Sequence, residues 1–334
     1  MAPLLGLTLR MEPRQERNRM GISTYMSRQT AVLDGLLIVN KEAGWTSHDV
    51  VARMRKITGV AKVGHAGTLD PAATGVLPVL VGRATRIAEY LLDWDKAYRA
   101  VLRLGEATDT QDATGTVLSR ADTSMISDAL LCETIAGFRG PQRQIPPMYS
   151  AVKVGGRPLY KAARAGQTVE RVERAVMIHA LDILARDGRD VTVNVVCSKG
   201  TYIRTLCADI GQVLGVGGHL YALERLRVGP FSIDQSLTVG DVAAQVAIGA
   251  VERNLVTLNQ ALNQLPALRI TDEQAQVVRH GGSVAPAGIG QLPASVEPFS
   301  VRLQDEAGQL LAIGIYDVRV GGTIKVHKVL VDSE

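Results

Sequence analysis

The chain has 334 residues, 46% of them hydrophobic and 21% charged, enough to bury a substantial core and too apolar for global disorder. No run nears the eighteen or so apolar residues that a membrane-spanning helix requires, and residues 4–9 are too short for a secretory core, so a cytoplasmic protein without a membrane partner is expected. The formal charge is only +4, and any polyanionic partner has to be read from where the charge sits.

Residues 1–30 hold five arginines and two glutamates, lack apolar periodicity and include Met11, Met20 and Met26; they read as a basic, disordered and dispensable extension. From Gly35 the run Leu36, Leu37, Ile38, Val39 predicts a buried strand. Thr46 or Ser47 then caps a helix whose apolar face is Val50, Val51, Met54 and Ile57, ending at Gly59. A loop over 64–75 is followed by a strand over 76–81, a helix through Ile87, Tyr90 and Leu91, and a half-exposed alternating strand over 98–105. A turn over 109–115 leads to a helix over 124–138. Next come a strand near 149–154, a turn at Gly155-Gly156, a basic helix from Pro158, and strands over 172–185 and 191–197. A helix over 201–214 and a strand over 223–231 close this part. Strands and helices interleave without a regular βαβ period, which favours α+β with a mixed or antiparallel sheet.

Beyond about residue 254 the character changes to a short helix over 273–280 and glycine-punctuated strands over 299–303, 310–315 and 323–331, the pattern of a small β-barrel. The expected division is an extension over 1–30, a main domain over 31–253 and a second domain over 254–334.

Eight basic residues (Arg139, Arg143, Lys153, Arg157, Lys161, Arg164, Arg171 and Arg174) stand against Glu170 and Glu173, a stripe suited to phosphates or to an ordinary solvated face. Cys132, Cys197 and Cys207 form no CxxC pair and read as buried free thiols; the histidines form no ligand cluster, so no metal is expected.

The most unusual segment is Gly64-His65-Ala66-Gly67-Thr68-Leu69-Asp70-Pro71-Ala72-Ala73-Thr74-Gly75. Pro71 biases Asp70 toward extended geometry, and Gly67 and Gly75 permit tight turns, so the carboxylate can be held at a fixed angle, although Asp-Pro also caps ordinary turns. A lone carboxylate acts as a nucleophile when a cation keeps it ionised. Lys199-Gly200-Thr201-Tyr202-Ile203-Arg204 offers one in Arg204, which reads equally as a surface arginine.

These segments resemble the bacterial tRNA pseudouridine-55 synthases, the TruB family. The resemblance runs from about residue 34 to the end through GLLIVNKEAGWTS (35–47), GHAGTLDPAATGVLP (64–78), DKAYRA (95–100), PMYSAVK (147–153), SKGTYIRTL (198–206) and residues 218–228. It implies a pseudouridine synthase core with a PUA-like C-terminal barrel, tRNA (the T stem-loop) as partner, a monomer, and no cofactor, because the isomerisation has no net redox change or group donor. Residue by residue, it implies that Asp70 is the catalytic aspartate and that His65 fills the space of the extruded nucleotide. Tyr98 would stack on the uracil and is a candidate for taking its C5 proton; Tyr202 and Leu223 would line the base pocket, and Arg204 would pair with the carboxylate. Lys153, Arg157, Lys161, Arg164, Arg225 and Arg227 would meet RNA phosphates. Glu42 and Glu224 depart from the family pattern, which has proline and arginine there.

Overall fold

The computed structural model describes residues 33–150, 153–154, 156–167, 169–285, 292–293, 295 and 297–331; the N-terminal extension expected over 1–30 lies outside them. Val32–Glu334 form one compact unit.

Its first strands are β1 (Gly35–Lys41), β2 (Val63–His65), β3 (Thr74–Val81) and β4 (Lys96–Leu104), with helices α1 (Ser47–Thr58) and α2 (Ala88–Leu92) between them. Then follow β5 (Glu106–Thr108), β6 (Val117–Arg120), α3 (Asp128–Gly137), β7 (Gly140–Gln144), β8 (Lys153–Val154), β9 (Arg157–Pro158) and α4 (Leu159–Arg164). The long hairpin β10 (Arg174–Asp187) and β11 (Asp190–Cys197) leads through α5 (Ile203–Val213) to β12 (Gly218–Val228) and β13 (Phe231–Ser232). The remainder is α6 (Val239–Ala247), α7 (Leu258–Ala261), β14 (Ala267–Arg269), α8 (Asp272–Arg279), β15 (Phe299–Gln304), β16 (Leu310–Asp317) and β17 (Thr323–Val329).

The main sheet runs β1-β3-β12-β4-β11-β10-β7, with β2 beside β3 and β13 beside β12. It is antiparallel except where β12 meets β3 in parallel, pairing Glu224 with Thr74 and Arg225 with Gly75. That contact brings β12 to the end of the 64–75 loop. The mixed sheet agrees with the α+β expectation.

Local chemistry sets the elements around the loop. Thr46 and Asp49 form a capping box at the start of α1, and Gly59 ends it in the left-handed conformation at φ 70°. Val50, Val51 and Met54 face the core beside Leu37, Val39 and Leu77. At roughly 1.5–3 kcal/mol each, their burial anchors the helix on which Ser47 sits.

Two expectations are corrected. The C-terminal strands form an open four-stranded sheet, β14-β15-β16-β17, rather than a barrel, because β14 and β17 do not pair to close it. Cys132 is exposed, while Cys197 and Cys207 are buried. Strand β4, by contrast, keeps its expected alternation: Tyr98, Ala100, Leu102 and Leu104 are buried on one face, while on the other Arg99 is exposed and Val101 and Arg103 are half-buried.

Candidate active site

The 64–75 loop is held by its backbone. Ser47 Oγ receives the Leu69 N–H at 2.9 Å and donates to Leu69 O at 3.1 Å, fixing the residue before Asp70. Lys41 Nζ (3.2 Å) and the Gly44 N–H (2.8 Å) both donate to Pro71 O, fixing the residue after it. Asp70's own carbonyl accepts the Ala73 N–H at 3.1 Å. Arg225, 1% exposed, donates from Nε to Val76 O (2.7 Å), from Nη2 to Gly67 O (2.9 Å) and from Nη1 toward Thr68 O (3.5 Å). Its assignment to a phosphate is therefore corrected: with its guanidinium spent on loop carbonyls and shut off from solvent, Arg225 organises the loop and cannot meet RNA.

The Asp70 carboxylate projects from this pinned loop toward α5, where Arg204 Nε lies 3.1 Å from Oδ2. Arg204 is only 7% exposed in its side chain, yet 45% of Asp70's side chain is open to solvent, so a buried guanidinium backs a carboxylate that solvent can reach. The rest of the guanidinium is engaged: Nη2 donates to Tyr149 O (2.9 Å), while Nη1 reaches Thr110 O (3.4 Å) and Asp112 Oδ2 (3.6 Å). Asp112 Oδ1 accepts from the hydroxyls of Thr110 (2.7 Å) and Thr114 (2.6 Å), which turns Oδ2 to Arg204. Asp112 was not legible from sequence. A carboxylate amid threonines in a glycine-ended turn was the only signal, and that pattern also describes an ordinary turn.

Burial raises the Asp70 carboxyl above its ordinary pKa, and Asp112 adds to this, while Arg204 and Lys41 pull it back. The surrounding protein therefore perturbs Asp70 even though part of its side chain is open to solvent. With a guanidinium at 3.1 Å the group stays ionised at neutral pH. Lys41, fully buried against Glu42 O, Trp45 O and Pro71 O, has its pKa lowered by desolvation. Because the contact at position 42 uses the carbonyl, glutamate serves there as well as another residue. Glu224, the other departure, pairs with Arg99 at 3.2 Å across β12 and β4.

Tyr98, on β4 opposite Arg225, is 8% exposed and hydrogen-bonded to that arginine; burial raises its phenol pKa. Leu223, two residues before Arg225 and on the same face of β12, is half-buried between the two main core clusters. Tyr202 is the residue before α5; Gln144 holds its backbone N–H (2.9 Å) and carbonyl (3.3 Å). His65 meets His48 edge-on at 5.6 Å, and its buried Nδ1 has no hydrogen-bond partner among the described residues. Burial pushes the His65 pKa down to about 4, so the ring is neutral at pH 7.

Part of the basic stripe is engaged within the fold. Arg139 pairs with Asp182 (2.6 Å), Arg143 with Glu173 (3.3 Å), and Arg171 donates to Pro146 O (3.1 Å). Lys161 is exposed, Arg227 is half-buried and donates to Gly229 O (2.7 Å), and the side chains of Lys153, Arg157 and Arg164 lie outside the described residues. Among the described residues no group of three or more His, Cys, Asp or Glu side chains could hold a metal ion, and no helix is long and apolar enough to cross a membrane.

Comparison with known proteins gives concordant matches. Residues 55–203 match the family described as TruB family pseudouridylate synthase (N terminal domain), and residues 204–266 match the tRNA pseudouridylate synthase B C-terminal domain. The chain is 50% identical over 258 residues to tRNA pseudouridine synthase B of Symbiobacterium thermophilum, covering 76% of this chain and 84% of that one. It is 40% identical over 299 residues to tRNA pseudouridine synthase B of Aromatoleum aromaticum, covering 89% and 94%. Among solved structures, a Cbf5-Nop10-Gar1 complex contains a similar chain with a TM-score of 0.70 at 28% identity, covering 90% of this chain and 86% of that one. An H/ACA RNP bound to a substrate RNA containing 2'-deoxyuridine contains another, with a TM-score of 0.69 at 26% identity and the same coverage.

Proposed function

We propose, from the premise that the chain belongs to the TruB family of pseudouridylate synthases, which are isomerases, that it converts uridine 55 in the T loop of tRNA to pseudouridine with Asp70 as nucleophile. The observation that carries this is the Asp70–Arg204 pair: a solvent-reachable carboxylate whose flanking peptides are pinned and whose charge is held by a buried guanidinium.

The reaction breaks the N1–C1′ bond and forms C5–C1′; N1 gains a proton and C5 loses one, so the balance needs no oxidant or donor. A uridine in a folded T loop cannot offer its glycosidic bond while stacked, so it must leave the stack at a cost of a few kcal/mol. The Tyr98 ring offers a stacking surface for the flipped uracil, and the neutral imidazole of His65, with Nδ1 unpaired, suits the space the nucleotide vacates. Asp70 then attacks C1′ of the ribose or C6 of the base. A phenol whose pKa is raised remains protonated at neutral pH, which supports Tyr98 as a platform rather than as a resting-state base for the C5 proton. Tyr202 and Leu223 line the base pocket. Lys153, Arg157, Lys161, Arg164 and Arg227 hold the RNA backbone without reading sequence.

Residues 31–253 would carry catalysis, and residues 254–334, with the open C-terminal sheet, would add RNA contact. The enzyme would act as a cytoplasmic monomer. The test is Asp70→Asn, assayed as pseudouridine formed in unmodified tRNA under single-turnover conditions, read by mass-resolved nucleoside analysis. Turnover should vanish while tRNA affinity at matched salt is kept. Activity within about a hundredfold of wild type, roughly 2.7 kcal/mol of barrier, would mean that another group attacks.

A further inference from the structure

Among the described residues, Gln111 is the one non-glycine residue with positive φ, 62°. Side chains of its size enter that region only where the surroundings hold them. Its N–H donates to Thr108 O at 3.2 Å, and its carbonyl accepts the Leu220 N–H at 3.0 Å. Its side-chain Oε1 accepts from Thr205 Oγ1 at 3.1 Å. A hollow of about 400 Å³, lined in part by Gln111, Gln212 and Gly217, lies beside this side chain. Packing therefore leaves it room to turn, and the Thr205 hydroxyl fixes its direction.

The flanking residues give this bond its meaning. Thr110 O and Asp112 Oδ2, on either side of Gln111, are the two groups of this turn that meet Arg204. Thr205, 4% exposed, follows Arg204 on α5. We propose that Gln111 and Thr205 form a clamp that fixes the Asp112 turn against α5 and so aims Arg204 at Asp70, making both positioning residues for the isomerisation. This rests on the Asp70–Arg204 reading above.

Without the clamp, Gln111 can relax toward negative φ and carry Thr110 O and Asp112 away together. The guanidinium is a rigid fork, so losing its Nη1 partners lets it rotate and takes Nε out of line with Asp70 Oδ2. The buried Thr205 hydroxyl offers RNA no contact, so the effect falls on the chemical step.

The test compares Thr205→Val, Thr205→Ser, Gln111→Met and the Val/Met double variant with wild type, in single-turnover pseudouridine formation on an unmodified tRNA transcript, with the dissociation constant measured alongside. Thr205→Val and Gln111→Met should each slow the chemical step about tenfold with affinity within about twofold, as expected for a small misplacement of a catalytic pair. The double variant should be no slower than the slower single one, because one interaction is removed twice. Thr205→Ser keeps the donor and should restore the wild-type rate. Either single variant at the wild-type rate, a double loss equal to the product of the singles, or a serine variant as slow as the valine one would overturn the clamp. Asp70→Asn is run beside them. Its retaining activity would sink the nucleophile assignment, whereas a dead Asp70→Asn with unimpaired clamp variants would sink only the clamp.

Discussion

Gly75→Ala tests whether the catalytic loop depends on its approach to β12. Gly75 has φ +100°, and a Cβ there would lie 2.2 Å from Arg225 O and 2.8 Å from Arg225 N. These are backbone atoms at a parallel pairing of β3 with β12, so no side-chain rotation relieves the clash. The left-handed backbone costs an alanine about 1–2 kcal/mol, and forcing the strands apart adds about 1–3 kcal/mol of overpacking strain. Gly59→Ala is the matched control. It too has positive φ, +70°, but nothing lies within 4 Å of its added Cβ, so it carries only the first cost. Urea unfolding should place Gly75→Ala about 1–3 kcal/mol below Gly59→Ala. In single-turnover assays well below the unfolding midpoint, Gly75→Ala should lose more than about tenfold in rate, because displacing Arg225 releases the Gly67 and Thr68 carbonyls and tilts Asp70. Gly59→Ala should turn over like wild type. Equal stabilities for the two variants, or full turnover by Gly75→Ala, would refute the idea that this strand contact sets the loop.

His65 is neutral when folded down to a pH of about 4, whereas an unfolded histidine takes its proton near pH 6.5, so stability should be lost as pH falls from 6.5 toward 4. The loss should reach about 2 kcal/mol by pH 5 and be absent in His65→Asn; parallel stability curves for the two proteins between pH 7 and 5 would contradict it. Lys153→Ala combined with Lys161→Ala should weaken tRNA binding and reduce the slope of log affinity against log salt by about 1–2, with little change in turnover at saturating tRNA; an unchanged slope would place both lysines on a merely solvated face.

Much of the frame was legible because its signals are local. The Thr46 cap, the apolar face of α1 and the Gly59 stop lie within one helix length and were read to within a residue or two. Strand β4 was legible for the same reason: its alternation puts Tyr98, Ala100, Leu102 and Leu104 in the core and Arg99 in solvent. What the alternation does not encode is that Arg103, on the wetter face, stacks with the Tyr221 ring and pairs with Asp190. The C-terminal alternation and glycines describe a curved sheet, and closure depends on whether the first and last strands meet, which no single strand encodes. The loop's glycine content marked Asp70 as positioned. The grips on it came from Lys41, Ser47 and Arg225, residues 150 or more positions apart at the extremes, and only the fold brings them together.

That division of labour accounts for the electrostatics of the site. Three of the grips on the loop end on backbone carbonyls, and two of them come from the buried cations Lys41 and Arg225, which donate to carbonyl oxygens rather than to carboxylates. Burying a cation against carbonyl dipoles costs desolvation, and both groups have their pKa lowered by it. The same burial would neutralise Asp70, and its pKa is indeed raised. Lys41 and Arg204 oppose that rise, so the groups that hold the carboxylate and its loop in place also keep the carboxylate charged. Removing Arg204 would therefore take away geometry and ionisation together, whereas removing Ser47 would loosen the loop while leaving the charge balance around Asp70 intact. The two losses are separable by their pH dependence: only the first should shift the acid limb of the turnover profile upward.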